Sequence, residues 1–484
     1  MEETMAKDFK RTKIICTIGP KSENKEIMSQ LIDAGMNVVR LNFSHGDYEE
    51  HGARIKTIRE LNKEKGTHVA VMLDTKGPEI RTHTFESGDG VTTIKAGSQV
   101  KVYMNEIVGN EERFSVTYPG LVDDVFIDGT ILVDDGYLEL KIIDKGEDDL
   151  GRFILTEALN THNIKNRRGI NVPGAKLNMP FVSEKDRNDL IFAAEVGVDF
   201  IAASFVRRAS DVQEIRDILD AHGGEHIQII AKIENKEGVD NAEEILEIAD
   251  GIMVARGDLG VEIPGVEVPI IQKRLIRLCN EAGKVVITAT QMLESMQKNP
   301  RPTRAEVSDV ANAVLDGTDA VMLSGESAAG LYPVRATKTQ SDIVRRVEKE
   351  IDHDVMITRA IISSPHTIES AIGLSVTDSA LDLNASIIVA ATMSGYTARL
   401  ISKYRPTCPI IALTPYEETA RSLALNWGVI PVVVKQTSTS EELVQIAEQV
   451  AVNVAELGKG DIAIITAGLS EPKTTNMMKI FEVK

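Results

Sequence analysis

The fold of this chain is decided between residues 199 and 326, which contain the apolar runs DFIAASFV (199–206), IQIIAKIE (227–234), GIMVARG (251–257), KVVITAT (284–290) and AVMLSGE (320–326). A segment with helical spacing follows each run. Three similar runs lie before residue 80, namely KIICTIG (13–19), VVRLNFS (38–44) and HVAVMLDTKG (68–77). Continuous apolar strands that alternate with helices indicate a parallel sheet covered on both faces. Eight such units close a (β/α)8 TIM barrel, and an open doubly wound sheet of eight strands is the alternative.

The helical segments between these runs carry start and stop signals. Ser22 stands before the first helical segment, which Gly35 ends, and Ser183 stands before SEKDRNDLIFAAEVG (183–197). A serine hydroxyl at such a place can accept a hydrogen bond from the first turn of the helix. We therefore predict Ser22 and Ser183 as N-caps.

The alternation of strands and helices stops between the third and fourth runs. From about Thr82 to Pro180 the sequence is rich in β-type segments with Gly and Asp turns, which predicts a small β domain inserted into the barrel. Beyond residue 352 a second alternating block begins, which is typical of an open α/β domain. We predict a (β/α)8 catalytic barrel from residues 1–80 and 178–352, a small β-barrel lid from 81–177 and an open C-terminal α/β domain from 353–484.

The composition limits the class of partner. The 484 residues carry a net charge of −19, from 54 basic and 73 acidic side chains, which argues against nucleic acid as a main partner. The cysteines Cys16, Cys279 and Cys408 are far apart, so neither a zinc site nor a disulfide is indicated. The first residues lack an apolar signal region, and no stretch approaches the ~18 apolar residues of a membrane span. We therefore expect a cytoplasmic enzyme with no membrane or nucleic-acid partner.

The ends of the predicted barrel strands carry polar side chains, whereas the strand interiors are apolar. In a (β/α)8 barrel the active site lies at these carboxyl ends. Cations, carboxylates and small hydroxyls that converge on one rim indicate a binding site, although solvated loops are the alternative. The rim residues, in chain order, are Arg40, Asn42, Ser44, Asp74, Thr75, Lys76, Lys232, Glu234, Arg256, Gly257, Asp258, Thr290, Gln291, Ser324 and Glu326.

Two carboxylates of this rim suit a hard divalent cation. Glu234 and Asp258 follow adjacent strands, and Mg2+ typically completes such a pair with water and substrate oxygens, although a glycosidase pair is the alternative. Lys232 lies two residues before Glu234 and points the same way. A lysine beside Mg2+ suits the neutralisation of a phosphoryl group, and Arg40 adds a fork for phosphate or carboxylate. A structural salt bridge from Lys232 to Glu234 or Asp258 is the alternative.

Two further rim features point to ligands. The segment RGDLGVEIPGVEVP (256–269) is predicted to open a helix whose amides and dipole suit a substrate carboxylate, with Thr290 across from it. A second cluster offers oxygen donors with one negative charge, which fits a monovalent cation, or else a hydrogen-bonded turn. Its members are Asn42, Ser44, Asp74 and Thr75. No complete P-loop is present, and no GxGxxG follows a strand.

Seven longer motifs resemble those of the pyruvate kinase family. They are RLNFSHG (40–46), LDTKGPEIRT (73–82), AKIEN (231–235), MVARGDLGVEIP (253–264), ATQMLESM (289–296), PTRAEVSDVANAV (302–314) and MLSGES (322–327). The resemblance implies a barrel with a β lid and a C-terminal effector domain, assembled as a homotetramer. It also implies phosphoryl transfer from phosphoenolpyruvate to ADP, giving pyruvate and ATP in the last step of glycolysis. Protonation of the pyruvate enolate is the implied second step, and the implied cofactors are Mg2+ (or Mn2+) and K+.

By position, the resemblance implies roles for single residues. Lys232 matches the phosphoryl-stabilising lysine, Arg40 the arginine near the transferred phosphate, and Thr290 the threonine that supports protonation of the enolate through water. The implied Mg2+ ligands are Glu234 and Asp258, and the implied K+ ligands are Asn42, Ser44, Asp74 and Thr75. The implied contacts with the substrate carboxylate and phosphate are Arg40, Lys232, Gly257, Asp258 and Thr290. The implied nucleotide contacts are Asn42, His45, Arg81 and Arg168, the last where the family often has lysine.

The resemblance also bears on activation. An acidic residue at the position of Glu79 goes with dependence on K+ in this family, because a lysine there can replace the monovalent charge. TMSGYTAR (392–399) resembles the effector phosphate loop, with hydroxyls from Thr392, Ser394 and Thr397, although an ordinary βα turn is the alternative. AGLSEPKTTNMM (467–478) has Pro472 and Lys473 where a glycine-rich loop is common. The resemblance implies a sugar phosphate or a nucleotide as effector, and the departure at Pro472 and Lys473 leaves the choice between them open.

Two other functions are consistent with parts of the sequence. A metal-dependent pyruvate aldolase on a bare barrel would use the same carboxylate pair, but it needs neither a lid nor a nucleotide. An effector-binding protein that has lost catalysis would have no need for the set Lys232, Glu234, Asp258 and Thr290.

Overall fold

In the computed structural model, which describes residues 9–468 and 474–484, the first apolar runs form barrel strands. The N-cap of the first helix is Asn24, whose side chain accepts a hydrogen bond from the amide of Glu26 at 2.7 Å. The prediction of Ser22 is therefore wrong, because its hydroxyl instead accepts from the amide of Gly19 at 3.1 Å in the preceding turn. The first elements are β1 (Lys13–Thr17), α1 (Lys25–Asp33), β2 (Val38–Asn42), α2 (Tyr48–Lys65) and β3 (Ala70–Asp74).

After β3 the chain forms the inserted β structure. In its long strand Leu138, Leu140 and Ile142 are buried and the two residues between them are exposed. This is expected of an antiparallel sheet with one face in solvent. Its strands form a seven-stranded sheet and a two-stranded sheet around a hydrophobic core of their own. The elements are β4 (Ile80–Arg81), β5 (Val91–Ile94), β6 (Gln99–Tyr103), β7 (Arg113–Ser115), α3 (Leu121–Asp124), β8 (Thr130–Val133), β9 (Leu138–Asp148), β10 (Gly151–Ala158), β11 (His162–Lys165) and β12 (Gly169–Asn171).

The barrel then resumes with a helix that Ser183 caps, as predicted, since its hydroxyl accepts from the amide of Asp186 at 3.1 Å. The five predicted strands all form, and a 3-10 turn (Glu294–Gln297) follows the fourth of them. The elements are α4 (Glu184–Val196), β13 (Phe200–Ala203), α5 (Ala209–Asp220), β14 (Gln228–Ile233), α6 (Lys236–Asp240), α7 (Ala242–Ile248), β15 (Gly251–Ala255), α8 (Arg256–Glu262), α9 (Val268–Ala282), β16 (Val285–Ala289), α10 (Arg304–Asp316), β17 (Ala320–Leu323), α11 (Gly325–Ala328) and α12 (Pro333–Glu348).

The eight parallel strands close into a barrel in the order β1-β17-β16-β15-β14-β13-β3-β2. The predicted barrel is therefore confirmed, and the open-sheet alternative is wrong. Every residue of β1, β3, β15 and β16 is buried, because helices cover the outside and side chains fill the inside. The register pairs Asn42 with Asp74, and Asp74 with Ala202. The ends of three strands therefore lie at one level of the rim.

The C-terminal block forms an open five-stranded sheet in the order β20-β19-β18-β21-β22, with the last strand antiparallel. The open α/β prediction is confirmed, whereas the exact domain limits at residues 81, 177 and 353 stay predictions. The elements are α13 (His353–Ser363), α14 (Ile368–Asp382), β18 (Ile387–Ala391), α15 (Tyr396–Lys403), β19 (Ile410–Thr414), α16 (Glu417–Ser422), β20 (Val429–Val433), α17 (Ser440–Asn453), β21 (Ile462–Ala467) and β22 (Met477–Glu482).

The C-terminal domain closes the amino mouth of the barrel. Ala424 and Leu425, in the loop between α16 and β20, belong to the same buried cluster as the inward-facing Ile15, Met72 and Met253. The carboxyl mouth, at the opposite end of the barrel, is therefore the one that can face the lid.

Two expectations from composition can be compared with the structure. The three cysteines form no disulfide, as predicted, and all three are buried. Among the residues that the structure describes, no helix combines the length and the hydropathy needed to cross a bilayer.

Candidate active site

The centre of the rim is a buried network of charged side chains from three strands. The Nε atom of Arg40, on β2, lies 2.6 Å from Oδ2 of Asp74 at the end of β3. The Nζ atom of Lys232, on β14, lies 3.1 Å from Oδ1 of Asp74 and 3.0 Å from Oε1 of Glu234. The ion pair between Lys232 and Glu234 is therefore present, and the second partner of the lysine is Asp74 rather than Asp258.

Burial and charge act against each other in this network. Burial disfavours the ammonium of Lys232, but the carboxylates of Asp74 and Glu234 outweigh it and raise the pKa of Lys232. Burial also disfavours the charge on Asp74, yet Arg40 and Lys232 lower its pKa. For Glu234 burial dominates, with Asp258 adding to it and Lys232 opposing it, so the pKa of Glu234 is raised. A further positive charge beside Glu234 would therefore stabilise its carboxylate.

The carboxylates of this rim fit a divalent cation. One oxygen of Glu234 accepts from the amide of Phe205 at 2.6 Å and the other meets Lys232, while Asp258 is half-buried in the first turn of α8. In the described parts of the chain, no group of three or more His, Cys, Asp or Glu side chains could hold a metal by itself. A metal here would have at most two carboxylate ligands and would need oxygens from water and substrate, which is the usual situation for Mg2+.

The predicted monovalent site also lies at this rim. The Oδ1 atom of Asn42 accepts from the amide of Ser44 at 3.0 Å, and Oγ1 of Thr75 accepts from the amide of Ser204 at 3.1 Å. The hydrogen bonds of the turn alternative are therefore present. In both bonds the side-chain oxygen is an acceptor, which is the role it would also have toward K+, and each oxygen has a second lone pair.

Two functional candidates at the end of β13 are missing from the predicted rim residues. The hydroxyl of Ser204 accepts from Lys232 at 2.7 Å and donates to the carbonyl of Thr75 at 2.6 Å. Phe205 has a φ of 57° and donates its amide to Glu234. The strand-end rule applied to DFIAASFV (199–206) would have found Ser204. An amide donor such as that of Phe205 has no signature in residue type.

Thr290 lies beside the first turn of α8, as the sequence predicts. Its hydroxyl accepts from the amide of Gly257 at 2.8 Å and donates to the carbonyl of Ala289 at 2.7 Å. The helix α8 is only seven residues long, and this amide is one of those predicted to bind a substrate carboxylate. In this structure the Gly257 amide is thus already engaged with Thr290.

A cleft of about 590 Å³ separates the barrel rim from the lid. It brings together the predicted nucleotide contacts His45, Arg81 and Arg168 with Glu79 and Asp258, whereas Asn42 is not among its lining residues. The Nε atom of Arg81 lies 2.7 Å from Glu79, and the Nε atom of Arg168 lies 3.5 Å from Oδ1 of the lid residue Asp134. Residues 134 and 135 of the lid also line the cleft, opposite Asp258.

A separate cavity of about 620 Å³ lies in the C-terminal domain. Thr392, Ser394 and Thr397 all line it, together with Lys435. The hydroxyl of Thr397 is 2.9 Å from that of Thr475, so it is already shared within the fold. Pro472 and Lys473 lie outside the described residues.

Known proteins resemble the chain over nearly its whole length. The family description "Pyruvate kinase, barrel domain" matches residues 9–337, and "Pyruvate kinase, alpha/beta domain" matches residues 370–481. The pyruvate kinase of Geobacillus stearothermophilus is 55% identical over 97% of this chain and 80% of its own length. That of Bacillus licheniformis is 53% identical over 98% of this chain and 81% of its own length.

A solved structure agrees with these relatives. The crystal structure of a pyruvate kinase from Cryptosporidium parvum superposes with a TM-score of 0.92 at 44% identity, covering 98% of this chain and 96% of the other. The resemblance carried by the seven sequence motifs therefore extends over nearly the whole chain. The chain therefore belongs to the pyruvate kinase family.

Proposed function

We propose that the rim network around Lys232 carries out the pyruvate kinase reaction, in which the phosphoryl group of phosphoenolpyruvate moves to ADP and gives pyruvate and ATP. The reaction follows from family membership, and the roles of the residues are the proposal. The observation that supports them is the buried contact of Lys232 with Asp74 and Glu234 at the open mouth of the barrel. This contact fixes an ammonium where the three carboxylates Asp74, Glu234 and Asp258 would otherwise repel a phosphate.

Lys232 and Arg40 stabilise the charge of the phosphoryl group during its transfer. The guanidinium of Arg40 is oriented by Asp74 and by the hydroxyl of Thr17, to which it donates at 3.0 Å. Lys232 is oriented by Ser204 as well as by its two carboxylates. Charges held in place before the reaction need no rearrangement during it, which is the main source of electrostatic catalysis.

The family uses a divalent metal and K+ in general, and we assign their ligands here. Glu234 and Asp258 would hold Mg2+ (or Mn2+), which when bound acts as a Lewis acid toward phosphoryl and enolate oxygens. Phe205 and Lys232 keep the Glu234 carboxylate oriented for this purpose. The K+ ligands would be the oxygens of Asn42, Ser44, Asp74 and Thr75.

The second step adds a proton to the enolate carbon. The first turn of α8, with Gly257 and Asp258, contacts the substrate carboxylate beside Arg40 and Lys232. The hydroxyl of Thr290 lies at this turn and supports delivery of the proton through water. Because the Gly257 amide donates to the Thr290 hydroxyl, a substrate held at this turn lies close to that hydroxyl.

The nucleotide occupies the cleft between rim and lid. His45, Arg81 and Arg168 contact ADP or ATP there, Asn42 contacts it from the barrel rim outside the cleft lining, and closure of the lid excludes water from the transfer. We further assign the C-terminal cavity, with Thr392, Ser394 and Thr397, to the phosphate of a sugar-phosphate or nucleotide effector. This allosteric enzyme would act in glycolysis, in the cytoplasm, as a homotetramer.

The metal assignment has a test that does not depend on turnover. Glu234→Gln removes one negative ligand while it preserves the shape of the side chain. We expect the affinity for Mn2+, measured by electron paramagnetic resonance, to fall roughly 100-fold, and the activity with it. Glu243→Gln, on the exposed surface of α7, is the matched control and should bind Mn2+ normally. Unchanged Mn2+ affinity in Glu234→Gln would overturn the assignment.

The effector assignment is tested by the coupled assay with phosphoenolpyruvate and ADP. The assay is run with each of several sugar phosphates and with AMP, on the native protein and on Ser394→Ala and Thr392→Val. We expect one class of ligand to change the concentration of phosphoenolpyruvate at half-maximal rate, and both variants to weaken that response. A response equal in the native protein and the variants would remove the cavity from the proposal.

A further inference from the structure

The turn that carries Thr290 has a backbone that requires support. Thr290 and Gln291 have positive φ angles of 65° and 56°. A residue other than glycine seldom adopts such a conformation, which persists only where the surroundings hold it. Two such residues in succession, directly after β16, mean that some neighbouring group fixes this turn.

Arg256 makes the contacts that fix it. Its Nε donates to the carbonyl of Ala289 at 3.1 Å, and its Nη2 donates to the carbonyl of Thr290 at 2.7 Å. Nη2 also lies 2.9 Å from the sulfur of Met292. The guanidinium therefore holds the turn at three points, which uses the planar arrangement of its donors.

The guanidinium is itself anchored from another helix. Its Nη1 lies 2.6 Å from Oδ1 of Asp309 on α10, and the Arg256 side chain is only 11% exposed. Gly257, the next residue, donates its amide to the Thr290 hydroxyl at 2.8 Å. The side chain of Arg256 thus holds the carbonyls of the turn, and the backbone amide of Gly257 holds the Thr290 hydroxyl.

We propose that Arg256 is a positioning residue for the proton transfer at the enolate carbon, since it fixes the place of the Thr290 hydroxyl. The inference rests on the role proposed above for Thr290. Arg256 acts through Thr290 and not on the substrate, because its donors face the turn, Asp309 and Gln272. A purely structural ion pair would change stability without a selective effect on the proton step.

Replacement by lysine separates charge from geometry. A lysine keeps the positive charge and can still pair with Asp309, but its single nitrogen cannot reach two carbonyls and a carboxylate in one plane. The turn would then relax toward ordinary φ values and carry the Thr290 hydroxyl away. A displacement of about 1 Å at such a group can slow a reaction about 100-fold.

The proton step is measured by the exchange of the methyl protons of pyruvate with deuterium from the solvent, which needs no net phosphoryl transfer. We expect Arg256→Lys to slow this exchange about tenfold or more and to leave KM for phosphoenolpyruvate nearly unchanged. Asp309→Asn, which weakens only the anchor, should slow it less, and it decides the question if Arg256→Lys does not fold. Arg277→Lys, on the exposed face of α9, is the matched control and should exchange at the native rate.

A double-variant comparison distinguishes this inference from the role of Thr290. Thr290→Val alone should slow the exchange on the order of 10- to 100-fold. If Arg256 acts through the hydroxyl, Arg256→Lys added to Thr290→Val slows it no further. Additive losses, or native exchange in Arg256→Lys, would overturn the inference about Arg256. Native exchange in Thr290→Val would instead remove the role of Thr290.

Discussion

The two mouths of the barrel both bury charged side chains, but their partners differ. At the amino mouth, Arg405 pairs with Asp319 at 2.8 Å, and Arg421 pairs with Asp199 at 2.8 Å. Each of these pairs joins the C-terminal domain to the barrel. Further bonds satisfy the charges, since Asp319 also accepts from the amide of Val286 at 2.9 Å. In these two pairs each arginine faces a carboxylate, and the apolar loop residues 424 and 425 seal the mouth.

At the carboxyl mouth the charges are not matched. Within its central network Asp74, Glu234 and Asp258 stand against Lys232 and Arg40, and Asp258 lines the cleft under the lid. An excess of negative charge at a buried site suits a ligand or metal that brings positive charge. The difference suggests that buried charge at the amino mouth serves stability, whereas at the carboxyl mouth it serves binding and chemistry. Variants at the two mouths should therefore affect different measurements.

The largest effect on activity is expected from Lys232→Met. It removes the ammonium that we propose stabilises the phosphoryl group, so kcat for the coupled reaction should fall about 1,000-fold or more. Exchange of the pyruvate methyl protons should be less damaged, because that step depends on Thr290. Equal loss of both activities would contradict this division of roles. Thermal unfolding provides the control, since the protein must still be folded.

The largest effect on stability is expected at the other mouth, from Arg405→Met. Asp319 would be left buried without its ion-pair partner, which costs about 3–5 kcal/mol. Burial already raises the pKa of Asp319, and Arg405 opposes that shift. We expect a clearly lower midpoint in urea or thermal unfolding, with kcat of the folded fraction unchanged. Lys338→Met, which breaks an exposed pair with Asp342, is the matched control. A stable but inactive Arg405→Met protein would contradict the comparison.

Most of the scaffold could be predicted because its pattern is local. Barrel strands are buried on both faces, so they appear as apolar runs, and their count gives closure. Side chains two residues apart lie on the same face of a strand, so the sequence also predicted that Lys232 and Glu234 lie side by side. The N-cap at Ser22 was mispredicted because the Ser22 hydroxyl belongs to the preceding turn, and Asn24 lies two residues nearer the helix.

What could not be predicted depends on distant parts of the chain. The partner of Lys232 is Asp74, 158 residues away, and only the register of β3, β13 and β14 brings the two together. The amide of Phe205 could not be distinguished from any other amide in the sequence. The contact of Arg256 with the Thr290 turn requires the left-handed backbone of that turn, which the residue types give no reason to expect.

A smaller effect at the carboxyl mouth concerns K+. Glu79 lines the cleft and lies 2.7 Å from Arg81 at the base of the lid, so a lysine in its place would bring an ammonium that can stand in for a monovalent cation. We expect the native protein to lose activity about tenfold or more in K+-free buffer, and Glu79→Lys to retain most of its activity there. Glu79→Gln, which removes the charge without replacing it, is the control and should still respond to K+. Full native activity without K+ would contradict the prediction.

The smallest effect is expected from pH at the amino mouth. Burial lowers the pKa of Lys10 to about 7, with Lys13 and Arg345 adding to the shift and Glu348 opposing it. The unfolded lysine keeps its usual pKa, so the folded state is penalised most at low pH, and the penalty fades as the pH rises above 7. Lys10→Met removes a titration but also two hydrogen bonds, to Thr12 and Asn37.

We therefore expect the free energy of unfolding of Lys10→Met, taken relative to that of the native protein, to be higher near pH 6 than near pH 9. The expected difference is on the order of 2 kcal/mol. The hydrogen bonds lost in the variant lower its stability at both pH values, so the pH dependence isolates the titration. Unfolding midpoints measured at both values give the comparison. A difference that stays constant with pH would mean that Lys10 remains charged in the folded protein. In that case the amino mouth, like the carboxyl mouth, would contain buried charge that the neighbouring side chains do not fully neutralise.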